Sequence, residues 1–75
     1  MDRFNPSHDA RGWLDACREA RLPVRMRLTD GTTFPCTIAA VGEREVTVAV
    51  PEEGGETVER VVFFHAVAYM EVVRQ

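Results

Sequence analysis

Seventy-five residues, with nine basic and twelve acidic side chains and a formal net charge of −3, make one small domain and argue against a strong generic binder of polyanions, which is normally basic. Two cysteines, with no CxxC and no Cys/His cluster, exclude a disulfide framework and a zinc module and point to two reduced thiols, Cys17 and Cys36, in a cytoplasmic protein. No apolar run approaches the roughly 18 residues that a membrane-spanning helix needs.

The start, MDRFNPSHD, is polar, has no signal-peptide pattern and reads as a loose lead-in. Ser7 or Asp9 caps a helix expected over 7–21. In it Ala10, Trp13, Leu14 and Cys17 recur at i, i+3, i+4 and i+7, an apolar stripe that packs the helix on the rest of the domain. Gly12 weakens the helix, and Leu22-Pro23 ends it because the residue before proline avoids the helical region.

From 23 to 73 the pattern is that of short antiparallel strands. Val24, Met26 and Leu28 alternate with Arg25, Arg27 and Thr29, giving a strand with one buried face. Asp30-Gly31 is a hairpin signal. The partner strand, 32–41, sets Phe34, Cys36, Ile38 and Ala40 on one face, with Pro35 marking an edge or a bend. After Gly42-Glu43-Arg44, Val46, Val48 and Val50 alternate inward over 45–50. PEEGGE, 51–56, is a polar, flexible hairpin loop, strand four covers 57–64, His65-Ala66 is a corner, and strand five covers 67–73. Strands so short and numerous favour a strongly bent sheet or small open barrel. The expected class is therefore α+β, mainly β: a helix, then five strands.

The segment 61–73, VVFFHAVAYMEVV, does not alternate. A half-exposed strand should. A domain near this size buries only roughly 60% of the surface its unfolded chain exposes and has too little material to cover both faces. A second copy, covering the other face or pairing with the edge, is the expected staple.

The helix end and first strand, Trp13-Leu14-Asp15-Ala16-Cys17-Arg18-Glu19-Ala20-Arg21-Leu22-Pro23-Val24, with Leu28-Thr29-Asp30-Gly31 and Phe63-Phe64-His65-Ala66-Val67 in the same order, resemble the bacterial Sm-like RNA chaperone Hfq. The resemblance runs from Ala10 to Val48 and resumes near Val61, around a longer loop. It implies an SH3-like Sm barrel over one domain, 1–75, assembled as a homo-oligomeric ring, a hexamer in Hfq, in which strand four of one copy pairs with strand five of the next. It also implies RNA as the partner, in post-transcriptional regulation; no DNA, no membrane and no cofactor are expected.

The resemblance also carries site residues. His65 stands at the position of a pore histidine that contacts uridine-rich RNA, flanked by Phe63 and by Phe64, the latter in place of a lysine. Arg44 falls at or near a base-stacking aromatic, Glu43 near a glutamine, and Ala10 at a helix glutamine. On the adenine-binding face Arg27, Gly31, Thr33 and Pro35 stand where the family has a tyrosine, glycine, lysine and glutamine, so uridine-rich RNA is favoured over adenine-rich. Arg18 and Arg21 occupy rim positions, where Glu19 replaces a third arginine and Arg25 and Arg27 add positive charge. Each has a plain structural reading beside it: His65 as a corner residue, and the arginines as a solvated, salt-bridged helix end. A ring that serves as a protein scaffold is the alternative to RNA binding. No nucleophile–base pair, phosphate loop or paired carboxylates suggest an enzyme.

Overall fold

A computed structural model describes residues 3–4 and 11–73. Its elements in chain order are β1 (Arg3–Phe4), α1 (Arg11–Ala20), β2 (Pro23–Leu28), β3 (Thr33–Val41), β4 (Glu45–Pro51), β5 (Thr57–Phe63) and β6 (Val67–Val72). The class is α+β, mainly β, with the helix preceding five antiparallel strands. The expected caps Ser7 and Asp9, and Ala10, lie outside the described residues.

The apolar stripe of α1 buries Leu14 and Cys17 completely and Trp13 in part, and α1 lies over β3. The helix ends in a Schellman arrangement. The Leu22 amide donates to the Cys17 carbonyl at 3.0 Å and the Arg21 amide to the Arg18 carbonyl at 3.2 Å. The residue between them that must turn left-handed is usually glycine. Here it is Arg21, at φ 54°, the one described non-glycine residue with positive φ. Pro23 then fixes the departure into β2.

The strands form one sheet in the order β1-β6-β2-β3-β4-β5. Val24, Met26, Cys36, Ile38, Val46, Val48, Val62, Val67, Met70 and Val72 fill the core on its inner face. Two irregularities bend it. Ile38 faces Val48 but Ala40 faces Thr47, so Ala39 is an extra residue in β3. Arg27 faces Tyr69 but Leu28 faces Val67, which makes Ala68 extra in β6. Such bulges kink a strand and increase its twist. The first also resets the alternation: Ala40, expected inside, is exposed, and Val41 packs on the core instead.

Pro35 lies in a strand with neighbours on both sides, yet it removes no bond from the β3–β4 ladder. That ladder stops at Thr37–Ala49. Two more residues in the same register would set Pro35 against Pro51, and neither has an N–H to give.

The sheet is bent but does not close into the expected barrel. Among the described residues β5 has no strand on its outer edge. The loop after β4, expected to be flexible, is a compact turn closed by the Glu52 amide donating to the Glu56 carbonyl at 2.7 Å, with Gly54 and Gly55 supplying positive φ. The unexpected element is β1. The lead-in places Arg3 opposite Glu71 and Phe4 opposite Met70, on the edge of β6 away from β2.

Candidate nucleic-acid interface

The chain between β5 and β6 turns in a short 3-10 corner, Phe64–Ala66. It is tied on both sides. The Phe64 amide donates to the Arg44 carbonyl at 2.8 Å, and the Thr29 amide donates to the Ala66 carbonyl at 2.9 Å. The β2–β3 turn and the β3–β4 turn, at opposite ends of β3, therefore meet within two residues of each other. A straight nine-residue strand spans about 27–30 Å. β3 must be strongly curved, and the bulge at Ala39 supplies part of that curvature.

This corner brings together most of the residues singled out in the sequence. Phe63 ends β5 on the outer face, opposite Glu45, and is 52% exposed. The His65 ring stacks on it with centroids 5.9 Å apart and planes 9° from parallel, an offset aromatic pair with His65 also exposed. Arg44 and Glu43 are exposed in the turn hydrogen-bonded to Phe64. Phe64 points the other way: it is half-buried and packs against the core, so the residue standing in place of a lysine belongs to the fold. The local charge is mixed. Glu43 neighbours Arg44, and the Glu45 carboxylate lies over Gly42, where a larger residue would collide with it. These carboxylates weaken the attraction of one arginine for phosphate.

The β2–β3 turn adds Gly31 and Arg27. Gly31 adopts φ 93°, which the turn requires, and a guanidinium nitrogen of Arg27 lies 3.9 Å from where a Gly31 Cβ would be. Asp30 accepts a bond from the Thr32 amide at 2.8 Å, and its bonds to Thr32 hold its carboxyl below the usual carboxylate range.

Arg18 and Arg21 are not part of this cluster. They stand at the start of β2, whose six residues separate them from the corner by about 17 Å. Arg18 is exposed and lies 3.6 Å from Asp15, an i,i+3 ion pair. Arg25 and Arg27 are exposed on the outer face of β2 between the two groups.

Three features escaped the sequence reading. Arg60 occupies an inward position, opposite Val48, yet is exposed because the sheet is open there; it lines a cleft of about 430 Å³ with Leu28, Phe34, Val62, Phe63 and Ala66. Glu71 is a buried charged residue, 6% exposed, with Arg25 and Arg3 at the facing positions of the adjoining strands. The third is β1 itself, too short to leave a periodic signal.

No family model, no curated protein and no solved structure matches the chain. Among the described residues no group of His, Cys, Asp and Glu could hold a metal ion, and no helix is long and apolar enough to cross a membrane.

Proposed function

We propose that this chain is a divergent Hfq-like Sm protein that assembles as a ring, a hexamer by the resemblance, and binds single-stranded RNA in post-transcriptional regulation, with no catalytic role, in the cytoplasm. The observation that carries the reading is the exposed stack of Phe63 and His65 at a corner hydrogen-bonded to the backbone of the exposed Arg44. An unpaired base offers a flat face, and aromatic rings and guanidinium planes are the surfaces on which proteins stack it. Uridine-rich RNA is the favoured class, because only Gly31 is kept of the residues that the resemblance places on the adenine face. Self-association is supported by the uncovered edge of β5 and by the exposure of Val61 and Phe63, 61% and 52%, on its outer face.

The second reading is a ring that serves as a protein scaffold. Its support is the net charge of −3 and the carboxylates around Arg44.

The deciding experiment is a titration of uridine-rich and adenine-rich oligonucleotides at two salt concentrations. It uses the wild type, His65→Ala and the Arg18→Ala/Arg21→Ala double variant. The expected result is preferential uridine-rich binding, weakened by His65→Ala. The loss of two phosphate contacts should reduce the slope of log K against log salt by about 1.4, from roughly 0.7 per contact on a single strand. Absence of binding to either RNA at low salt would leave the scaffold as the function.

A further inference from the structure

β6 has two edges. β2 occupies one along Val24–Leu28. On the other, β1 pairs with Met70 and Glu71, so the stretch of that edge before β1 is only Val67–Tyr69. β5, whose outer edge no strand covers among the described residues, is seven residues long. A strand of that length cannot lie along three residues. To add to β6 across its full length it must take the backbone positions that β1 holds.

We infer that β1 is an exchangeable cap: it covers the β6 edge of the single chain, and it leaves when β5 of a second copy adds there. The inference rests on the reading of self-association through β5 and β6 given above. Three observations support it. First, β1 is two residues long, the least that a ladder can offer, whereas β5 would replace it with several times as many backbone bonds. Second, six residues, 5–10, separate β1 from α1 along the chain. Third, an uncovered β6 edge would be a template for indiscriminate strand addition, a hazard that proteins blunt by covering the edge. The register sets Arg3 opposite Glu71.

A chain whose binding edge is mostly capped assembles with its apparent affinity lowered by the fraction of chains that are uncapped. Removing the cap must therefore strengthen assembly. The test is sedimentation velocity over a range of concentrations on three proteins: the full chain, a variant lacking residues 1–6, and Arg3→Pro/Phe4→Pro. The double proline variant keeps the length and removes whichever of the two amides donates to β6.

Both altered proteins should reach half-assembly at a concentration about tenfold lower than the full chain, the equivalent of one or two net backbone hydrogen bonds. Equal or weaker assembly than the full chain would overturn the cap while leaving the ring in place. Failure of all three proteins to assemble would overturn the ring and the cap together. Circular dichroism checks folding. If the truncated chain does not fold, the proline variant decides. Unfolding of both would also overturn the proposal, because a cap that leaves cannot be needed for the fold.

Discussion

Phe63 and His65 stack as an offset pair, 5.9 Å between centroids and 9° from parallel, at the corner to which the turns before and after β3 are hydrogen-bonded. Phe63 faces outward from β5: opposite it on β4 is Glu45, and half of its surface is exposed. An apolar ring held in water beside an imidazole is a flat surface available to a ligand. Because the corner is tied to the Arg44 and Thr29 turns, that surface is held by the fold itself.

Phe63→Ala should therefore reduce affinity for uridine-rich RNA while leaving stability nearly unchanged. Base–aromatic stacking contributes about 1–3 kcal/mol per base, so a loss of roughly 5- to 150-fold is expected. Phe63→Tyr keeps the ring and should bind within a few-fold of the wild type. Fluorescence anisotropy with a labelled oligonucleotide measures both. Unchanged binding by Phe63→Ala would remove the stack from the interface.

Arg21 carries a different signature. A left-handed conformation costs a non-glycine residue roughly 1–2 kcal/mol, and glycine is the common residue at this point of a Schellman motif. Arg21→Gly should raise stability by about 0.5–1 kcal/mol, after the entropy that glycine adds to the unfolded chain, and raise Tm by about 2–8 °C in a domain of this size. The same variant should lower the salt slope of RNA binding by about 0.7 if Arg21 touches phosphate. A lower Tm in a thermal melt would mean that contacts of the Arg21 side chain outweigh the backbone strain.

The alternating stretches were readable in the sequence because burial on one face imposes a period of two. Val24/Met26 and Val46/Val48/Val50 fall inside as that period requires. Ala40 fell outside it because the bulge at Ala39 shifts the parity, and a bulge between small residues leaves no mark on composition. The two-sided apolarity of 61–73 divides into different causes. Val62 and Met70 face the core, while Val61 and Phe63 lie outside on β5. β1 was invisible because two residues cannot show a period. Of the candidate site, the residues of the corner and of the helix end were read as one set of candidates, and only the fold separates Arg18 and Arg21 from the corner by the length of β2. The inward turn of Phe64 was likewise a matter of packing.

Leu14 and Trp13, adjacent on α1, should differ in weight. Leu14 is fully buried, and Leu14→Ala should destabilise by about 2–5 kcal/mol through lost transfer energy and a residual cavity. That is comparable with the whole stability of a domain this size, at about 0.05–0.15 kcal/mol per residue. Trp13 is only half-buried, so Trp13→Ala should cost less despite its larger side chain. Urea unfolding of the two variants checks the order, and a larger loss for Trp13→Ala would place the indole deeper than the structure has it.

The two thiols give the fold a predictable response to alkaline pH. Burial pushes Cys36 from an ordinary value of 9.0 up to about 12, and burial raises Cys17 in the same direction. The folded state therefore holds the thiol protons more tightly than the unfolded state does. Their contribution is fully present below pH 9.0, the ordinary thiol value, and is lost as pH rises through the window up to about 12, where the unfolded chain ionises and the native chain does not. Cys36→Ala removes the larger of the two effects. It should lower stability at pH 7 through the lost packing of a buried side chain, and it should flatten the fall in stability between pH 9 and 12. Denaturant unfolding at pH 7, 9 and 10.5 on wild type and variant separates the two consequences, since packing loss is independent of pH and thiol ionisation is not. An identical slope in both proteins over that window would show that Cys36 ionises as readily in the native state as in the unfolded chain, and would contradict its place under α1 in the core.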